Sequence, residues 1–137
     1  MPKVDRVLDP EEEIFISMKK TLEKKHSTYD GFLPPKGTPY PFVYLGEFTQ
    51  QDDASNKSLV FAEVNATFHV WHDNPRQRGT VSAMLADIKE AARGLTETKH
   101  YTWKVSSIYQ RILEDNTTNT PLMHGVVEIT FKQTGGK

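Results

Sequence analysis

From Leu59 to Leu95 the chain reads LVFAEVNATFHVWHDNPRQRGTVSAMLADIKEAARGL: an alternating run, a break at Asn74-Pro75, and then an apolar stripe at helical spacing. In the first part Val60, Ala62, Val64, Ala66, Phe68 and Val70 fall on one face of an extended segment. Phe61, Glu63, Asn65, Thr67, His69 and Trp71 fall on the other. In the second, Val81, Met84, Leu85, Ile88, Ala92 and Leu95 share one side of a helix running from about Thr80 to Leu95. A strand with one apolar face followed by an amphipathic helix folds as a sheet covered by that helix. The strand, from about Leu59 to His72, extends roughly 45 Å, whereas the helix spans about 24 Å. Its apolar tips are therefore expected to need a further layer, which a second copy of the chain could supply.

The remaining segments fit around this unit. Asp9-Pro10-Glu11-Glu12-Glu13 carries a capping residue, a proline suited to a first turn and acids suited to the positive end of the dipole. A helix is predicted from there to about Lys25, with Ile14, Phe15, Met18 and Leu22 inward and Lys19, Lys20, Lys24 and Lys25 as a solvated face. His26 to Pro41 is rich in Gly and Pro and reads as an irregular connection. Phe42 to Phe48 reads as a short strand, and the polar Thr49 to Ser58 as a long exposed loop. Tyr101 to Glu114 is a third strand whose alternation changes phase near Ser106-Ser107, which predicts a bulge. After the polar turn Asp115 to Pro121, Leu122 to Lys132 closes the sheet with Gly125, Val127, Ile129 and Phe131 on one face, and 133–137 is expected to be a disordered tail. The expected fold is one α+β domain over 1–132, a four-stranded, mainly antiparallel sheet with two helices on one face in the order α-β-β-α-β-β.

Composition narrows the function. The 137 residues suit one domain, and 17 basic against 18 acidic side chains give no electrostatic footprint for nucleic acid. Absence of cysteine removes thiolate chemistry, disulfides and Cys-ligated zinc, which fits a cytosolic origin. The first residues, MPKVDRVLDPEEE, hold no signal-like apolar region, and no apolar run approaches a membrane span, so a soluble, unexported chain is expected.

Candidate chemistry is sparse. His69 and His72, beside Asp73, are the one group that suggests metal ligands, but positions i and i+3 of a strand face opposite ways. No nucleophile elbow, H-E-x-x-H or phosphate loop occurs, and the carboxylates lie in caps or polar stretches with nothing to raise a pKa. No enzymatic activity, cofactor or metal is expected. Tyr101, Trp103 and Tyr109 with Lys104 and Arg111 could form a stacking surface for nucleic acid, yet neither ribonucleoprotein signature is present.

The pattern resembles the tail-completion proteins of long-tailed bacteriophages, the tail terminators and tail-to-head joining proteins. The resemblance runs from about Leu8 to Phe131. It is carried by Pro41-Phe42-Val43-Tyr44-Leu45-Gly46-Glu47, the polar stretch with Asp52-Asp53, and the strand ending His69-Val70-Trp71-His72. It continues through Val81 to Ile88, Tyr109 to Asp115, and His124-Gly125-Val126-Val127-Glu128-Ile129. It implies a structural virion protein, made in the host cytoplasm and built into the virion tail. Such a protein forms a ring, generally a hexamer, at the head-proximal end of the tail tube, stops tube growth and joins tail to head while DNA passes through. Its implied partners are further copies of itself, the tail-tube protein and a head-completion or connector protein. DNA would pass without sequence-specific binding, and no membrane is implied. The isolated subunit is expected to be monomeric until a tube end is present. Under this reading Glu63, Asn65, Thr67, His69 and Trp71 contact a neighbouring subunit, and Asp52, Asp53, Lys57, Asp115 and Asn116 lie in lumen or docking loops. The acids among them would keep DNA phosphates from adhering. The alternatives are a nucleic-acid- or ligand-binding α+β module, told apart by salt-sensitive affinity, and another neck or tail-tube protein.

Overall fold

The computed structural model describes residues 7–31, 34, 36–53, 61–117 and 119–136. Its elements are α1 (Pro10–Glu23), β1 (Thr28–Asp30), β2 (Phe42–Asp53), β3 (Phe61–His72), α2 (Arg78–Gly94), β4 (Tyr101–Asp115) and β5 (Leu122–Gly136). The strands form one sheet in the order β1-β2-β3-β5-β4. Every pairing is antiparallel except that of β1 with β2. The fold is therefore α+β with two helices, but the sheet is mixed and five-stranded rather than four-stranded.

β3 sits at the centre, where alternation is clearest. Ala62, Val64, Ala66, Phe68 and Val70 are each at most 2 % exposed, under α1 and α2. α2 contributes Val81, Leu85 and Ile88, and α1 contributes Ile14, Met18 and Leu22, all buried. α2 comes down onto β5 at Gly125, where a Cβ would lie 2.7 Å from Val81 Cγ1 and 3.0 Å from Leu85 Cδ1. With two helices side by side, the inward face of β3 is covered within one chain. A second copy is not needed as a further layer there, contrary to the expectation from length.

Other expectations also change. The Gly- and Pro-rich connection holds β1, whose three residues pair with Val43, Tyr44 and Leu45. β2 does not stop at Phe48 but continues through Thr49 to Asp53, because β3 runs alongside it for its whole length. On a sheet flank that both faces expose to water, such a strand needs no apolar residues, so its composition resembles a loop. The end of the chain is not a disordered tail as far as Gly136. Gln133 is buried in β5 and accepts a hydrogen bond from the Ala62 amide at 2.9 Å. Asp9 precedes α1 without a side-chain cap bond. Instead, the Glu11 amide donates to Gln50 Oε1 at 2.9 Å. The expected β4 bulge is present as a register shift between Val105 and Ser107. Two further shifts lie in β4 between Thr102 and Trp103 and in β2 between Leu45 and Phe48.

Candidate functional site

The face of the sheet away from the helices carries the candidate site. Glu63, Asn65, Thr67, His69 and Trp71 all stand on it, in one column along β3, as alternation requires. The column divides in two. Glu63 and Asn65 are exposed, with Asn65 Oδ1 accepting from Thr130 Oγ1 at 2.6 Å. His69 and Trp71 are half-buried in an aromatic cluster that the pairing of β3 with β5 creates.

Its centre is His124, opposite Trp71 in the β3–β5 register. The Trp71 and His124 rings stack at 3.7 Å and 5°. His69 lies 5.0 Å from His124 at 17°, with its Nδ1 2.8 Å from His124 Nε2. Tyr44 on β2 leans on His69 at 6.0 Å. Gly46 leaves room for this ring, because a Cβ there would lie 2.7 Å from His69 Nε2. Burial first, then the neighbouring His69 ring and Arg111, opposed in part by Asp115, bring the His124 pKa down to about 4. His69 is lowered by burial and then by Arg111, against Glu128. Both imidazoles are therefore neutral near pH 7, and one ring N–H donates to the other ring. A proton on both would place two cations in contact. His72 takes no part. It faces the other way, 3.3 Å from Asp73 Oδ1. Among the described residues no group of three or more His, Cys, Asp or Glu is placed to hold a metal ion.

The residues expected in lumen or docking loops separate. Asp52 and Asp53 are in β2, not in a loop, and being adjacent they face opposite sides of the sheet. Asp52 is on the helix-bearing side, bonded by Gln50 Nε2 at 2.8 Å. Asp53 pairs with Phe61 on the other side. Asp115 ends β4 opposite Leu122, at the far end of the sheet, about 35 Å away by strand rise. Its carboxylate accepts from the Thr117 hydroxyl at 2.6 Å and amide at 2.9 Å, which lowers its pKa. Asn116 is exposed just beyond it, and Lys57 lies outside the described residues. The three acids thus do not stand together within one chain. Asp115 and Trp71 do meet at an open cleft of about 640 Å³ walled also by Tyr40, Phe42 and Leu122.

Sequence reasoning missed His124 as the partner of His69 and Trp71. The signal available was its place on the polar face of a strand; the pairing register that joins them is not a local property. It also missed Glu13, 4 % exposed in α1, which accepts from the His100 amide at 3.0 Å and the His100 ring at 2.5 Å. Burial would raise its pKa, but these bonds and one from Thr98 outweigh that and lower it.

A mixed sheet with helices on one face and a largely polar, uncovered other face is an architecture of assembly and binding proteins as much as of enzymes. No protein-family model and no curated protein matches this sequence. A solved structure described as the virion of a native gene transfer agent particle contains a chain with the same fold. The two share 16 % identity over 93 % of this chain and 95 % of that one, with a TM-score of 0.59. At that identity the likeness is one of fold.

Proposed function

We propose that this chain is a structural protein of a phage-like virion. The observation that carries the reading is the shared fold with a chain of a gene transfer agent virion, which extends over nearly the full length of both. The finer role is that of a tail-completion protein. It forms a ring, a hexamer by resemblance, on the head-proximal end of the tail tube, arrests tube growth and offers a surface to a head-completion protein. Its work is assembly rather than catalysis, and its place is the virion tail after assembly in the host cytoplasm. Glu63, Asn65 and Thr67 remain accessible on the helix-free face and are the best candidates for contact with a neighbour. His69 and Trp71 shape that face through His124.

The test is negative-stain imaging of the purified protein mixed with phage tail tubes that lack their end structure. The reading expects a ring at one end of each tube and no further elongation when tube protein is added. Uncapped, growing tubes, together with salt-sensitive binding to nucleic acid in a parallel assay, would replace it with a binding module.

A further inference from the structure

The sheet has two unequal free edges that match each other. β4 is an edge strand of 15 residues. Its first residues are bonded on the outer side by the preceding turn, through the Thr98 amide to the Tyr101 carbonyl and the Trp103 amide to the Thr96 carbonyl, both at 2.8 Å. From Lys104 onward no described residue pairs with that side. On the opposite flank β1 covers β2 only at Val43–Leu45, so among the described residues Gly46 to Asp52 has no strand paired on its outer side. Long open edges of this kind template pairing with another chain.

We infer that β4 of one copy pairs antiparallel with the open part of β2 in the next copy, joining subunits into one continuous sheet. This deepens the ring-forming reading and rests on it. The strand directions suit the pairing: β2 and β4 are separated by β3 and β5, all mutually antiparallel, so a neighbour in the same orientation presents β2 antiparallel to β4. The side chains suit it too. Following the registers across the sheet, Lys104, Ser107 and Ile108 lie level with Gln51, Thr49 and Phe48. With no axial shift, Ser107 faces Thr49 on the helix-free side, and Ile108 faces Phe48 on the helix-bearing side. Lys104 faces Gln51 with Asp53 diagonally beyond it. Both apolar members are only partly buried in the single chain. The pairing stops near Tyr109, because β1 occupies the next stretch of the β2 flank. A head-to-tail contact without axial shift does not climb into a helical filament, and it closes into a ring where its rotation divides a full turn.

The chain has no cysteine, which makes a cross-linking test clean. Ser107 and Thr49 are exposed, and directly opposed strand residues fall within disulfide range. The full chain carrying both Ser107→Cys and Thr49→Cys, concentrated and oxidised, should give a ladder of linked species ending at a limiting oligomer. Each single variant should give no more than a trace of dimer. A pair at the wrong level, Leu113→Cys with Thr49→Cys, should link at least tenfold less. No ladder from the first pair, or equal linking by the wrong-level pair, overturns the edge pairing. Negative stain of the uncross-linked protein on tube ends separates the two readings. Rings without the ladder leave the ring-forming role and remove this interface; a ladder without rings leaves the interface and removes the role.

Discussion

The neutral His69–His124 pair should make the protein acid-sensitive above the range where carboxylates act. In an unfolded chain each imidazole has a pKa near 6.5, whereas folded His124 sits at about 4 and folded His69 is lowered. Between those values the unfolded chain binds more protons than the folded one, so stability rises with pH across that window. The contribution is fully present above about pH 6.5, is lost as pH falls, and its loss is complete once the folded His124 pKa is passed. A shift of about 2.5 units corresponds to roughly 3 kcal/mol, and the cluster's partial exposure to water reduces this to about 1–2 kcal/mol. His124→Phe keeps a flat ring against Trp71 but has nothing to protonate. Urea unfolding from pH 7.5 to 4.5, followed by Trp fluorescence, should show the natural chain losing stability from about pH 6.5 downward. The variant should be less stable at neutral pH, through loss of the 2.8 Å contact with His69, yet should lose about 1 kcal/mol less on acidification. Identical pH slopes for the two proteins would show that the pair does not titrate as its geometry requires.

Gly125→Ala drives a methyl group into Val81 and Leu85 where α2 meets β5, and should cost about 1–3 kcal/mol in thermal or urea unfolding. Glu13→Gln leaves size unchanged but weakens the bonds to His100. Because the folded Glu13 pKa is lowered, its contribution is present above the ordinary carboxylate range and lost as pH falls through it, so the variant should differ most from the natural chain near pH 7 and least near pH 3. Glu63→Lys, exposed on the helix-free face, should leave unfolding within about 0.5 kcal/mol of the natural chain while reducing the fraction of capped tube ends in negative stain.

What the sequence disclosed follows the range over which each cause acts. The β3 face and the α2 stripe were legible because each is set by its own residues. The β4 bulge was legible because two adjacent serines interrupt a phase. β1 was hidden because three residues, Thr28 to Asp30, carry no period, and their strand form comes from pairing with β2. The polar end of β2 was hidden because its partner strand, not its own composition, holds it extended. The column Glu63 to Trp71 was correctly placed on one face, but the distinction between its accessible half and its stacked half depends on His124, 53 residues beyond Trp71 in the chain and opposite it in the sheet. Likewise Asp52 and Asp53 share a sequence position in all but one step, and that step puts them on opposite faces.

The His pair also gives a reason for the glycine at position 46, and that reason can be separated from a demand of the β2 backbone. Gly46 stands against His69, where a Cβ would approach Nε2 at 2.7 Å, Cδ2 at 2.9 Å and the Thr67 carbonyl oxygen at 3.1 Å. The two ring atoms lie well inside any allowed contact, while the carbonyl distance is tight but can relax by a few tenths of an ångström. Gly46→Ala should therefore act chiefly by pushing the His69 ring away from His124, at a cost of about 1–3 kcal/mol. His69→Ala removes the obstacle, so in that background the same Gly46→Ala change should cost at least 1 kcal/mol less. This coupling is measured by a double-mutant cycle on urea unfolding at pH 7.5. Strictly additive costs would mean that the glycine serves the β2 backbone alone, and that the imidazole pair merely fills the space that the bulge leaves.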